Sequence, residues 1–196
     1  MRTFREPNAP ATIPTVSIKQ LSMALGCSLE RAGERLHGLL AAFRYAELTT
    51  VKHLAYFLAQ IGHETLGLHY TQEIWGPTPA QLRYEGRADL GNTHVGDGHR
   101  FMGRGDLQTT GRANYVRLRD KLRAAGYTCP DFEARPQDVS LPEWCSLSAA
   151  VFWKDHGLNS SVPANDFIGL TRKINGGKNG LADRQLRLAR CLKALS

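Results

Sequence analysis

Two glutamates, Glu64 and Glu73, are the side chains of this sequence most suited to acid–base chemistry. Cleavage of a glycosidic bond needs two carboxyl groups, one to protonate the leaving oxygen and one to activate water or attack the sugar. Glutamates nine positions apart can serve that chemistry, but two ordinary surface glutamates would show the same spacing. Which interpretation holds depends on where the surrounding helices and loops place the two glutamates.

Glu64 lies near the end of the segment VKHLAYFLAQIGHET, whose apolar residues recur at helical spacing. The residues that share one face of this predicted helix are Leu54, Leu58, Ile61 and Thr65. Glu64 falls beside that face. A carboxyl at the border of an apolar stripe is partly desolvated, which favours its neutral, proton-donating form. Glu64 and Glu73 cannot share one uninterrupted helical face at close range, so we expect the helix to end near Gly67 and the chain to cross a cleft.

Metal chemistry is disfavoured by the spacing of the histidines and cysteines. The zinc motif H-E-x-x-H would need a histidine at position 67, where the chain has Gly67, and His69 comes two residues too late. His63 is therefore interpreted as a packed or hydrogen-bonded helix residue. The four cysteines form no C-x-x-C pair and are expected to be buried free thiols: Cys27, Cys129, Cys145 and Cys191. We expect no metal and no cofactor.

A second group of candidate residues lies in two glycine-rich segments. The segment GDGHRFMGRGDLQTTGRANY spans residues 96–115, and its glycines allow the backbone to approach a ligand closely. A phosphate-binding loop would need the pattern G-x-x-x-x-G-K-[ST], which the sequence lacks. Side chains able to hydrogen-bond sugar groups or a water are Gln108, Thr109, Thr110 and Asn114, and the segment INGGKNGLADR adds Asn175 and Arg184.

Helical periodicity dominates the chain, which predicts a mainly α protein. Helices are predicted to begin after Ser17, Ser28, Thr49 or Thr50, at Pro142, and after Asn165 or Asp166, with one more around Tyr115 and a last one over LADRQLRLARCLKAL. The stretch from Gly76 to Gly105 has many glycines and no sustained period, which predicts a long functional loop region with room for a small hairpin. We expect one domain over residues 17–196 and a flexible arm over residues 1–16, which contains three prolines.

The composition limits the classes of protein that fit. At 196 residues with 42% hydrophobic content, the chain can bury one core and is short for two domains. The net charge of +7 serves solubility or favours contact with a polyanion such as nucleic acid, an anionic membrane or the acidic bacterial wall. No nucleic-acid-binding motif accompanies it, which argues against nucleic acid. No apolar run approaches a membrane span and no signal segment is recognisable, so we expect a cytoplasmic product without stable membrane insertion.

Three segments, taken together and in this order, resemble glycoside hydrolase family 19, the chitinase-like branch of the lysozyme superfamily. They are AQIGHET at 59–65, GRGDLQTTGRANY at 103–115 and INGGKNGLADR at 174–184. The chain is similar to the compact phage and prophage endolysins of that family from residue 17 onward, and its opening IKQLSMALGCSLERAGERL resembles their first helices. The resemblance implies a lysozyme-like single domain whose long loop region lines a cleft.

The resemblance also implies roles for the candidate residues. Glu64 matches the general acid, Glu73 matches the general base of an inverting displacement, and Thr110 matches a hydroxyl that helps to hold the water. The positions that match substrate-binding residues are Gln108, Asn114, Asn175 and Arg184, of which the last two would also support the second carboxylate. Two residues depart from the family pattern, because Asp106 stands where an apolar residue or proline is usual and Ala113 stands where an aromatic residue is expected.

The function implied by the resemblance is that of an endolysin. It would hydrolyse the β-1,4 bond between N-acetylmuramic acid and N-acetylglucosamine in peptidoglycan, as a monomer, after release from the cytoplasm through a holin-type lesion. Chitin is the alternative polymer. A non-catalytic wall-binding module is the alternative class of protein, and a zinc amidase is a more distant one.

Overall fold

The computed structural model describes residues 12–196, which form nine α-helices and three short 3₁₀ helices. The α-helices are α1 (Ile18–Leu25), α2 (Leu29–Tyr45), α3 (Val51–Glu64), α4 (Pro79–Leu82), α5 (Asp97–Arg100), α6 (Arg112–Ala124), α7 (Pro142–Asp155), α8 (Phe167–Asn175) and α9 (Leu181–Leu195), and the 3₁₀ helices are Ala88–Leu90, Pro136–Ser140 and Leu158–Ser161. Within the described range, β-type pairing is limited to two isolated bridges. The predicted mainly α fold is confirmed.

Five of the nine described α-helices begin with a residue whose side chain caps the helix. Each capping oxygen accepts a backbone N–H of the first turn, which removes one of the unpaired donors of a helix start. The residues that cap in this way are Ser17 for α1, Ser28 for α2, Thr50 for α3, Thr78 for α4 and Asp166 for α8. Of the two alternatives predicted at α3 and at α8, the second is therefore the one the structure has.

Helix α3 lies at the centre of the molecule. Every residue from Leu54 to Gly62 is buried, so the helix is enclosed on all sides and not only on the one face predicted. Helices α1 and α3 both pack on α9, and α2 packs on α7. Phe57 of α3 contacts Phe43 and Trp153 edge to face. The helix that carries Glu64 is thus held rigidly from several directions.

Two hydrophobic clusters share helix α7. The first gathers α1, α2, α3, α8, α9 and one face of α7. The second surrounds α6 and includes Phe101, Phe132 and Trp144. Three of the four cysteines are buried free thiols, as predicted, and Cys27 is half-buried. No helix within residues 12–196 is both long enough and apolar enough to cross a membrane.

The stretch predicted as a long loop is more ordered than expected. It contains α4, the 3₁₀ helix Ala88–Leu90 and α5, joined by turns. The guanidinium of Arg112 fastens it to α6 by an ion pair with Asp97. These helices are too short to leave a periodic pattern of apolar residues, which is why the sequence did not indicate them.

The boundary of the predicted arm also differs from the structure. Residues 1–11 of that arm lie outside the described residues. Val16 is buried, and Ile13 packs against the first hydrophobic cluster. The packed part of the chain therefore begins before residue 17.

Candidate active site

Glu64 is the last residue of α3, at the point where the buried helix meets a cleft. The helix ends there because Leu66, Gly67 and Leu68 all have positive φ. A Cβ atom at Gly67 would lie 2.9 Å from the carbonyl oxygen of Leu25, so glycine is required for both its conformation and its lack of a side chain. The predicted helix end near Gly67 is confirmed, and it exposes about a quarter of the Glu64 side chain.

The Glu64 carboxylate is paired with a buried arginine. Nη2 of Arg184 donates to Oε1 of Glu64 at 2.5 Å, and Nη1 donates to Oε1 of Gln60 at 2.5 Å. The Nε atom of Arg184 donates to the carbonyl oxygen of Asn179. The side-chain amide of Gln60 donates to Thr171 of α8 at 3.0 Å. These hydrogen bonds connect the end of α3, which carries Glu64, to α8 and α9.

The position of Arg184 differs from the role implied by the resemblance. Its side chain is only 2% exposed and does not line the cleft, so it is not placed to bind a sugar. Its carboxylate partner is Glu64, not Glu73. The reason is the packing of α9 against α3, which points the first turn of α9 at the end of α3.

Glu73 lies in an irregular segment and is held by neutral donors. Its Oε1 atom accepts the backbone N–H of Gly103 at 2.5 Å, and its own N–H donates to the Gly103 carbonyl at 2.9 Å. The Oε2 atom accepts the side-chain amide of Gln81 at 3.0 Å. The hydroxyl of Tyr84 also contacts this carboxylate, and the pKa of Tyr84 is raised by burial and then by the negative charge of Glu73.

A tight hairpin from Arg104 to Thr109 brings further polar residues to the cleft. Arg104 and Thr109 exchange two backbone hydrogen bonds of 3.1 and 2.7 Å, and Arg104 also bridges to Gln72. Gln108 adopts a positive φ of 51°, which is uncommon for a residue with a side chain. The sequence left room for a small hairpin within Gly76–Gly105, but this hairpin lies at the end of that stretch and beyond it, directly before Thr110.

A buried ion pair anchors the hairpin to the helical core. Nη2 of Arg35 lies 2.7 Å from both carboxylate oxygens of Asp106, and the hydroxyl of Ser146 donates to Oδ2 of Asp106 at 2.7 Å. The side chains of Arg35 and Asp106 are 4% and 0% exposed. The departure from the family pattern at Asp106 is thus matched by a cation on α2.

Gly103 is the point at which Glu73, Gln108 and Thr110 meet. A Cβ atom built on Gly103 would lie 2.3 Å from Oε1 of Gln108 and 3.1 Å from the Thr110 hydroxyl, so both side chains lie against the glycine that hydrogen-bonds Glu73. The hydroxyl of Thr110 donates to the Gln108 carbonyl oxygen at 3.1 Å. The carboxylate of Glu73, the hydroxyl of Thr110 and the amide of Gln108 therefore all lie around the backbone of Gly103.

The cleft is a cavity of about 490 Å³. It lies where the two hydrophobic clusters adjoin, because Leu107 and Ile174 of its wall pack on the first cluster, while Leu118 and Val151 belong to the second. Five of the seven predicted site residues line it: Glu64, Gln108, Thr110, Asn114 and Asn175. Glu73 is not part of the cavity wall. It is hydrogen-bonded to Gly103, against which the wall residues Gln108 and Thr110 lie.

The two asparagines predicted to bind substrate also stabilise turns. The Asn114 amide donates to the Thr110 carbonyl oxygen at 2.8 Å. The Asn175 amide donates to the Asn179 carbonyl oxygen, and its Oδ1 accepts the N–H of Gly177, which closes the turn between α8 and α9. Both face the cavity, so a ligand could contact the parts of these amides that the turns leave unused.

His63 contacts a carboxylate and is not part of a metal cluster. Its Nδ1 lies 2.7 Å from Oδ2 of Asp183, which also accepts Nε of Arg187 at 2.7 Å. Among residues 12–196 no three histidine, cysteine, aspartate or glutamate side chains come together as a metal site would require. The interpretation of His63 as a hydrogen-bonded helix residue agrees with this geometry.

Gln60, Gln81 and Tyr84 were not among the predicted site residues. Gln60 lies one helical turn before Glu64 on the same flank, which is a signal the spacing contains. The motif Thr78-x-x-Gln81 is a capping box, and the structure shows that box at the start of α4. Nothing in the sequence indicated that the same glutamine would also reach Glu73.

The chain was compared with known protein families, proteins and solved structures. No family model matches the chain. It is 32% identical over 166 residues to a Haemophilus influenzae protein described as a glycosyl hydrolase family 19 domain-containing protein, covering 70% of this chain and 77% of that protein.

The solved structures that share the fold include two chitinases. Chitinase C from Streptomyces griseus HUT6037 superposes with a TM-score of 0.71 at 21% identity, covering 92% of this chain and 76% of the chitinase. A bacterial family 19 chitinase gives a TM-score of 0.70 at 20% identity, covering 92% and 95% of the two chains. These likenesses confirm the predicted lysozyme-like fold, and the curated relative confirms the family that the three motifs resemble. The chain belongs to glycoside hydrolase family 19 and is a glycoside hydrolase.

Proposed function

We propose that this glycoside hydrolase is an endolysin that cleaves the β-1,4 bond between N-acetylmuramic acid and N-acetylglucosamine in bacterial peptidoglycan. The observation that supports this reaction is that Glu64 lines the same cavity as Gln108 and Thr110, while Glu73 is hydrogen-bonded to Gly103, against which both of those side chains lie. The net charge of +7 favours an acidic wall polymer over uncharged chitin. The similarity to compact endolysins supports the same choice, and release by a separate holin is part of the proposal.

In the proposed mechanism Glu64 donates its proton to the glycosidic oxygen as the bond breaks. Arg184 then stabilises the carboxylate that is left, because it pairs with Glu64 in its ionised form. Glu73 accepts a proton from a water held by Thr110, and this water attacks the opposite face of the sugar, with inversion. Gln108, Asn114 and Asn175 hydrogen-bond the sugar from the cavity wall.

The Glu64→Gln variant tests the role of the acid. General acid catalysis contributes about 10²–10⁴-fold, so lysis of purified walls should slow by at least about 10²-fold while the fold is unchanged. Glu34→Gln is the matched control, because Glu34 is an exposed glutamate of α2. Full activity of the Glu64 variant would overturn the assignment.

Chitin is the second candidate substrate, because solved structures that share the fold include chitinases. Reducing ends released from purified peptidoglycan and from chitin oligomers should be measured side by side. Mass spectrometry of the wall digest then shows which sugar carries the new reducing end, and N-acetylmuramic acid is expected. Cleavage of chitin alone would refute the proposal, wall binding without any cleavage would favour a non-catalytic module, and release of peptides without new reducing ends would favour an amidase.

A further inference from the structure

We infer that the cavity continues beyond the catalytic residues into a site for a carboxylate-bearing peptide attached to the glycan, with Arg117 as the residue that binds the carboxylate. This rests on the proposed function, because peptidoglycan carries peptides on its muramic acid and chitin does not. Recognition of the peptide would explain how a family 19 fold distinguishes the two polymers.

The cavity runs between α6 and α7, away from Glu64. Along α7 its wall begins at Ser148 and ends at Asp155, seven residues later. At a rise of 1.5 Å per residue, this is a path of about 10 Å. An extended peptide covers at most ~3.3–3.6 Å per residue, so about three residues fit between the hairpin and the far end.

The middle of this path is apolar. Leu118 projects from α6, and Val151 and Phe152 project from α7. The ring of His156 stacks on Phe152 with centroids 3.9 Å apart, which extends the flat surface. Such a wall offers little to sugar hydroxyls, but it suits the methyl groups of small peptide side chains, whose burial is favourable.

The far end of the path carries a surplus positive charge. Nη2 of Arg117 lies 3.0 Å from Oδ2 of Asp155, and Lys121 contacts the other oxygen of the same carboxylate. Two cations therefore share one anion. A guanidinium has five N–H donors, so Arg117 can keep Asp155 and still bind a second carboxylate in a bidentate way.

Arg117 differs from the other arginines of α6 that form ion pairs. Arg112 and Arg119 each contact more than one carboxylate and are largely covered. Arg117 has one carboxylate partner among the described residues, is 59% exposed and lines the cavity. It is thus the guanidinium of this helix best placed to meet a negatively charged ligand.

The test compares Arg117→Gln with wild type on three substrates. These are peptidoglycan glycan with its peptides, the same glycan stripped by an amidase so that it keeps only lactyl carboxylates, and chitin oligomers. We expect the KM for the peptide-bearing glycan to rise about tenfold relative to the KM for stripped glycan, which is the usual effect of losing a charged hydrogen bond. Arg117→Lys should restore part of the loss.

The matched control is Arg123→Gln, which removes the same charge from an exposed position of α6 outside the cavity. It should leave the KM ratio unchanged. An equal rise of KM on peptide-bearing and stripped glycan would mean that the lactyl carboxylate is what Arg117 binds, and an equal effect on all three substrates would mean a structural role. Either result, or no effect of Arg117→Gln at all, overturns the inference.

A binding measurement separates this inference from the proposed function. Calorimetry of the Glu64→Gln variant with a purified disaccharide-peptide needs no cleavage, and adding Arg117→Gln should weaken binding about tenfold. Wild-type protein that cleaves no wall glycan would refute the proposed function alone. Peptide-independent binding, with the disaccharide bound as tightly as the disaccharide-peptide, would refute the inference alone.

Discussion

Replacing Asp106 with alanine should destabilise the protein strongly, because it leaves a buried guanidinium without its anion. Nη2 of Arg35 would keep only the neutral hydroxyl of Ser146 as a partner. The Nε and Nη1 atoms of Arg35 already lack a hydrogen-bond partner in the described part of the structure. With exposures of 4% and 0% for the two side chains, solvent cannot take the place of the lost carboxylate.

The expected loss can be worked from these contacts. Removing one partner of a buried ion pair costs about 3–5 kcal/mol, and both hydrogen bonds to Asp106 are short and fully enclosed. In a chain of this size 1 kcal/mol lowers Tm by about 2–4 °C, so Asp106→Ala should lower Tm by roughly 6–20 °C. Replacing both charges, as in Arg35→Met with Asp106→Leu, removes the uncompensated charge and should recover most of the loss.

Urea unfolding followed by circular dichroism measures the free energies of unfolding of Asp106→Ala, of Arg35→Met and Asp106→Leu as single variants, and of the double variant. Asp120→Ala is the control, because Asp120 pairs with Arg119 at an exposed position where an ion pair contributes little to stability. The reasoning is refuted if Asp106→Ala costs less than about 1 kcal/mol. It is also refuted if the double variant loses the sum of the two single losses, because the charges would then not be coupled.

Three further predictions concern the residues around Glu73 and the loop region. Gly103→Ala places a Cβ atom 2.3 Å from the Gln108 amide oxygen, so the Gln108 side chain must move. We expect kcat/KM to fall about 10²-fold with little change in Tm, and unchanged activity would show that the position of Gln108 is unimportant. Gln81→Leu removes a hydrogen-bond donor that orients Glu73 and should lower kcat about tenfold, whereas a loss of stability alone would indicate a structural role. The hydrogen bond from the Arg112 guanidinium lowers the pKa of Asp97 to about 2. The contribution of Asp97 to stability is therefore complete above pH about 4 and is lost as the pH falls through 2. Asp97→Asn should flatten that part of the pH dependence of stability, as measured by urea unfolding.

The sequence predicted those features that depend on short-range patterns. The helix that carries Glu64 and its capping threonine follow from apolar spacing and from local hydrogen bonding, and the structure has both. The ion pair of Glu64 with Arg184 joins residues 120 positions apart, and that of Arg35 with Asp106 joins residues 71 positions apart. Such contacts depend on which helices pack together, and the packing leaves no periodic signal in the chain.

The two glutamates are positioned by different means, and this difference bears on their proposed tasks. Glu64 stands on an enclosed helix and faces a buried cation, so its position changes little and its ionised form after proton transfer is already compensated. Glu73 stands on an irregular segment, where backbone and amide donors orient both of its oxygens. Neutral donors hold a carboxylate in place without cancelling its charge, which leaves it able to accept a proton from water. An inverting displacement needs one carboxyl group as acid and one carboxylate as base, and the two glutamates are held in these two different ways.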